Sequence, residues 1–433
     1  MIFVNDFLKN ATSDSEAFAR AIASRHSDGT ILVTPREAED GRTFWLIDEA
    51  ILLPSNTTVI LRNTKIKLSD ACRDNFFRSA NCGLGIEDIA PLFNIHIRGE
   101  GYVLLEGADH PRATGDGTKI IKYPCPFEVE DICKYADWIP DERRTPDKIT
   151  FADRHDYSYG TDANNPDESQ YGDWRGIGIL FACVDHFSIS GLTICESHGW
   201  GISLENCAYG RIEHIEFDAR MSKMIDGMLH NMENQDGVDI RNGCHDILIS
   251  DITGETGDDV IALTAIANRE LPYRPSGSLA STHVMHNDWT RRNSDIYNIT
   301  IRDVRAYSSL CFIVRLLPCE SRIYNIIIDG ITDTSPSPTT MWGGILLGEG
   351  DSGYGKNLPG SLTNISISNV IYNNYSRAIC ISGFLQDSVI TNVVCPNTKE
   401  PAIYCSRRGV AAFQNVKVSG IVLPDGIPVL SEF

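Results

Sequence analysis

Basic residues are scarce in this chain: 38 Lys and Arg stand against 58 Asp and Glu over 433 residues, a formal net charge of -20. A general footprint on phosphate backbones or anionic lipid needs a basic surface, so neither nucleic acid nor a membrane is expected as partner. A few local arginines would still be enough to hold an acidic sugar. No run approaches the roughly 18 apolar residues of a membrane span. The start, MIFVNDFLKNATSDSEAFARAIASRHSDG, lacks a basic segment followed by a long apolar core, so the sequence as written is expected to act in the cytoplasm. The thirteen cysteines include no CxxC pair, which argues against a zinc knuckle or a redox motif. Cys183, Cys195 and Cys207 recur every twelve residues and read as thiols packed in successive strands. Nothing in the sequence requires a metal or an organic cofactor.

Sustained helical periodicity is missing from about residue 177 onward, where short β-branched runs alternate with turns rich in Asn, Asp, Gly and Ser. The runs repeat a phrase: FSISGLTI (187–194), ILISDIT (247–253), ITIRDV (299–304), IIIDGIT (326–332), ISISNV (365–370) and VKVSGIV (416–422). Between many of them sits a second apolar strand, such as GVDI, DVIALT, FIVRLL, GILL or AICI. Units of this size, about 20 to 30 residues, cannot bury their faces alone and must stack as a solenoid. The expectation is an all-β, right-handed parallel β-helix forming a single domain over 1–433, with 50–67 and 93–105 as its first coils. EAFARAIAS, after Ser13 and Asp14, places Phe18, Ala21 and Ile22 on one face of a short helix that caps the open end.

Two stretches break the pattern. Residues 106–174 hold Pro, Asp, Tyr and Trp in abundance and read as an insertion over the binding cleft; its length favours exo action on short chains. A second irregular loop, 266–295, carries His283 and His286 close to the expected site.

The chemistry-bearing phrases are NQDGVDI (234–240) and TGDDVIAL (256–263). Asp236 and Asp258 lie 22 residues apart, about one coil, and should stack on one face with Asp259 beside them. Inverting glycoside hydrolysis needs one protonated carboxyl for the leaving oxygen and one ionised carboxyl for the attacking water. Crowded carboxyls create that difference, because their repulsion raises the pKa of one of them.

In these phrases, and from DSEAFARAI through RGEGYVLLEG and RGIGILFACVDHFSISGLTI to IVRLLPCESRIYNIIIDGIT, the chain resembles glycoside hydrolase family 28, the polygalacturonase-like, pectin-degrading β-helix enzymes. The family's hallmark phrases are Asn-Thr-Asp, an acidic Gly-Asp-Asp or Gln-Asp-Asp, Gly-His-Gly and Arg-Ile-Lys. The resemblance implies a glycosidase acting on a galacturonide or related oligo- or polysaccharide. Asn234, Gln235 and Asp236 fall on the first phrase, and Gly257, Asp258 and Asp259 on the second. It makes Asp258 the general acid, gives Asp236 and Asp259 the water, and sets Arg315 against the sugar. Leu317 stands where the family has lysine, and no Gly-His-Gly follows Asp259, so His283, or else His286, is the candidate for the missing imidazole. His198 and Trp200, in ESHGWG, fall where the family lines its cleft. Two other readings fit such a helix: a lyase or epimerase, which needs a basic proton acceptor and often calcium, and a non-catalytic glycan-binding solenoid, which would present an exposed aromatic ladder.

Overall fold

The computed structural model describes residues 1–431 apart from 27–28, 73, 84–85, 87–88, 110–144, 146–175, 198, 226, 233–234, 267–292, 339–341, 349–356 and 406–411. The irregular stretches 106–174 and 266–295 therefore lie almost wholly outside the described residues.

The repeated phrases stack as their pattern requires. Phe187, Ile247, Ile299, Ile326, Ile365 and Val416, the first residues of the six phrases, occupy one column running from coil to coil in parallel register. Two positions on, Ile97, Ile189, Ile212, Ile249, Ile301, Ile328, Ile367 and Ile390 form a second column, all buried. A β-branched side chain packs well on its own copy one strand away, and burying each is worth about 1.5–3 kcal/mol. The second apolar strands align likewise, Val238 beside Ile261, Val314, Ile345, Ile379 and Ile403. The result is a 13-stranded and a 10-stranded parallel sheet facing each other across the isoleucine core, a right-handed parallel β-helix.

The Ser/Asp/Gly bend in each phrase has a backbone cause. Gly191, His214, Asp251, Asp303, Gly330, Asn369, Asn392 and Gly420 stack at one position with φ between 52° and 72°. Glycine, asparagine and aspartate bear that left-handed conformation best. A second left-handed column becomes an amide ladder: Asn325 Nδ2 donates to Asn298 Oδ1 and Asn364 Nδ2 to Asn325 Oδ1, each at 3.0 Å.

Two coils escaped the phrase search because one residue breaks each pattern, Gly210 in GRIEHIEF and Ser388 in QDSVITNVV. Gly210 is imposed by its neighbour below. A Cβ there would lie 1.9 Å from Phe187 Cζ, so the Phe187 ring fills the space of the missing side chain.

At the N-terminus the helix spans Asp14–Ala23, capped by Ser13, whose hydroxyl accepts from the Glu16 N–H. Phe18 meets Trp45 edge to face at 5.2 Å, and Phe18, Ala21 and Ile22 join the core, so the helix covers the end of the first coils as expected. A 3-10 helix at Val4–Asn10 and an antiparallel hairpin, Ser222–Ile225 with Met228–Asn231, were not anticipated. Cys183 and Cys207 are buried and Cys195 is partly so, as thiols packed along the coils.

Gly210→Ala should lower stability by about 1–3 kcal/mol through overpacking against Phe187. Paired with Phe187→Leu, the two changes should cost less than their sum in denaturant unfolding. A single variant that unfolds at the wild-type midpoint would show that the ring does not dictate the glycine.

Candidate active site

The strands Val238–Arg241 and Ile261–Ile266 are paired neighbours in the 10-stranded sheet, and the segments entering them carry the acids. The coil between them measures 23 residues: Val238 pairs with Ile261, and the Gly237 N–H donates to the Asp259 carbonyl at 2.9 Å. This corrects the expected pairing by one position. Asp259 stacks on Asp236, and Asp258 stands level with Gln235. Asp258 stays in the cluster because it sits at the bend before the strand, where the alternation of faces does not yet apply.

The bend is fixed by hydrogen bonds to the previous coil. The Gly257 and Asp258 N–H groups donate to the Gln235 carbonyl at 3.2 and 3.3 Å, and Thr256 Oγ1 donates to the Asp258 carbonyl at 2.7 Å. Gly237 follows Asp236 because a Cβ there would lie 2.5 Å from the Val260 carbonyl oxygen and 2.9 Å from the Phe217 ring.

Both Asp259 oxygens are engaged: Oδ1 accepts from the Phe312 N–H at 3.0 Å and Oδ2 from Arg315 Nη1 at 3.1 Å. Arg315 thus reaches the cluster from the next coil, as its alignment implied, and meets a carboxylate there. Asp258 is partly exposed and accepts from the Asp259 N–H at 2.9 Å. Asp236 is buried, and its Oδ1 takes no hydrogen bond among the described residues. Asn234, His198 and His283 lie outside the described residues. Trp200 sits beneath Asp236 in the stack at only 4% exposure, with the Arg241 guanidinium 4.6 Å over its ring, so its contacts are those of packing and only its rim faces outward. Leu317 is buried with Ile266 and Cys319, and carries no charge into the site.

Sequence reasoning missed Asp239, Arg241, Cys311, Phe312 and Trp342. Asp239 was legible: in GVDI it alternates with inward Val238 and Ile240 and so must face outward with the acids. It is buried, and its Oδ2 has no hydrogen bond among the described residues.

Burial and mutual repulsion govern the charge state. Desolvation pushes the Asp259 carboxyl up to about 7 in spite of the Arg315 guanidinium. Burial, with the Asp258, Asp239 and Asp259 charges behind it, holds Asp236 well above the usual carboxylate range, and burial raises Asp239 against the pull of Arg241. The cluster therefore holds protons at neutral pH and carries fewer charges than it has carboxyls. One donor atom each of Asp258, Asp259 and Cys311 lie within 4.8 Å of one another, close enough to surround a cation. Burial keeps the Cys311 thiol protonated, however, and it hydrogen-bonds to Asp258. A neutral thiol beside an arginine-bound carboxylate suits a hydrogen-bonded network better than a metal.

No protein-family model and no curated protein matches the chain. Solved structures do. A hyperthermoactive exopolygalacturonase from Thermotoga maritima aligns at TM-score 0.53 and 16% identity over 97% of this chain and 91% of that one. The surface adhesin PfbA of Streptococcus pneumoniae aligns at 0.53 and 12% over 99% and 100%. The tailspike protein of E. coli bacteriophage HK620, solved in complex with a pentasaccharide, aligns at 0.55 and 13% over 97% and 66%. At these identities the likeness establishes the fold, and function has to be argued from the site.

Because the native cluster holds protons that the unfolded chain, with ordinary carboxyl values near 4, would release, stability should fall as pH rises from about 4 to about 7. Asp239→Asn should raise stability by on the order of 1 kcal/mol at pH 8 and change it little at pH 4. Denaturant melts at the two values check this; an equal effect at both would mean that Asp239 is not protonated in the native state.

Proposed function

We propose that this chain is an inverting glycoside hydrolase acting on plant-type oligosaccharides, a galacturonide or a related sugar. The observation that carries the reading is the arrangement of carboxyls: partly exposed Asp258 beside buried Asp236, whose Oδ1 is unpaired among the described residues, and Asp259 pinned by Arg315.

In this reading Asp258, the carboxyl that reaches the surface, passes a proton held by the cluster to the glycosidic oxygen as the bond from the anomeric carbon breaks and its electron pair leaves with that oxygen. Water adds to the anomeric carbon from the opposite face and loses its proton to the ionised member of the Asp236–Asp259 pair, the other orienting it. Arg315 favours the ionised form of Asp259. The likeness to a polygalacturonase supports the fold on which this chemistry is placed, and the alignment of Asp236, Asp258 and Asp259 with the family's acidic phrases supports the roles.

The adhesin and tailspike likenesses raise a purely binding role, for which an exposed aromatic ladder would be the sign. A ladder is present on the 13-stranded sheet, yet its rings cover one another: His186 stacks on Tyr209 at 5.1 Å, His245 on Tyr297 at 4.7 Å and Tyr297 on Tyr324 at 5.1 Å. Such faces are closed to sugar rings, and the ladder serves coil-to-coil cohesion.

Asp258→Asn should lower kcat by about 10²–10⁴-fold with the fold intact by circular dichroism. Proton NMR should show the inverted anomer forming first, and EDTA should leave the rate unchanged. Unsaturated, ultraviolet-absorbing products lost on EDTA treatment would replace hydrolysis with a calcium-dependent lyase.

A further inference from the structure

Beyond the carboxyls, along the helix axis, the outer face of the 10-stranded sheet turns from acidic to apolar. Cys311, Phe312, Leu346 and Cys380 form one buried cluster there, with Tyr404 packed against it. At its edge stands Trp342, 52% exposed, meeting Phe312 edge to face at 6.2 Å. The Trp342 N–H donates to the Leu310 carbonyl at 3.1 Å, which sets it one coil beyond Cys311. Phe312, its ring neighbour, donates its own N–H to Asp259. A large indole, half open to solvent, thus stands two coils beyond Asp258, on the side away from Trp200, with Cys311 and Phe312 between.

The cations near this face are already committed. Arg315 is bound to Asp259, Arg241 is fully buried over Trp200, and Arg377 pairs with Glu400 at 2.8 Å with its guanidinium 4.8 Å over Tyr404. Leu317, beside them on the sheet, is apolar and buried. A uronate carboxylate placed here would find no uncommitted cation among the described residues of this face, and would lie against a carboxyl cluster that already occupies Arg315. A neutral pyranose would bring no charge, and its C–H face matches an aromatic ring.

We propose that the sugar bound beside the carboxyls is a neutral pyranose stacked on Trp342, which makes Trp342 a specificity-determining residue. This rests on the hydrolase reading for its role in catalysis, but not for the binding itself.

The test separates the two. Tryptophan fluorescence and calorimetry on the Asp258→Asn protein would measure binding of trigalacturonic acid against neutral β-1,4-galactotriose, xylotriose and reduced, carboxyl-free rhamnogalacturonan fragments. Wild-type turnover would be followed on the same sugars. At least one neutral sugar should bind about tenfold or more tightly than trigalacturonic acid. Trp342→Ala should weaken that binding, and raise KM, about tenfold with a smaller change in kcat, whereas Trp342→Tyr should restore most of it. Tightest binding of trigalacturonic acid, no binding of any neutral sugar, or indifference to Trp342→Ala would each overturn the proposal. Neutral sugar bound on Trp342 but never cleaved by the wild type would sustain it while overturning the hydrolase reading.

Discussion

Each coil of this protein hydrogen-bonds to the next at the spacing of a β-ladder, about 4.8 Å, so residues one coil apart in sequence become immediate neighbours in space. Everything else follows from which side chains tolerate lying against their own kind. Isoleucine does, which gives the core columns; asparagine does, through its reciprocal amide, which gives the ladder through Asn298, Asn325 and Asn364. Aspartate does not, unless it keeps protons or finds a cation.

In the carboxyl cluster the stack sets like charge on like charge in a buried position, Asp236 beneath Asp259 with Asp239 alongside. The fold imposes the cost, and the proposed hydrolysis would use it. Crowding and burial hold protons that an isolated surface aspartate would release, Arg315 restrains one member, and partly exposed Asp258 connects the network to the outside. A solenoid suits such a site because backbone hydrogen bonds between coils fix where each acid's segment lies; the bend at Gly257–Asp258 hangs from the Gln235 carbonyl.

The architecture was legible because its rule is local. The left-handed bend favours Gly, Asn or Asp, and the phrase around it repeats, so the six strands, their partner strands and the capping helix could be placed from sequence, with strand ends missed by up to four residues. The phrase search failed where packing exchanged one side chain for another, as when Phe187 fills the room of Gly210. In the site, Asp236, Asp258, Asp259 and Arg315 were found because they lie in compact phrases. The one-residue slip that paired Asp236 with Asp258 arose from taking the coil as 22 residues when hydrogen bonding makes it 23. Trp342 and Cys311 were invisible, since nothing in CFIVRLL or WGGILL signals that the next coil brings Cys311 against Asp258 and the one after it places Trp342 on the same face. Asp239 carried a signal, strand alternation, that was not used.

Protons held by the stacked carboxyls near neutrality are what the proposed hydrolysis requires of this site. Carboxyl-selective ¹³C NMR of the wild-type protein between pH 4 and 9 would read them directly. At least one carboxyl should titrate near 7, and it should move toward the ordinary range when Asp236 is replaced by Asn. If every carboxyl titrates below about 5, the stack does not perturb its acids, and the site has no protonated group to give to a glycosidic oxygen.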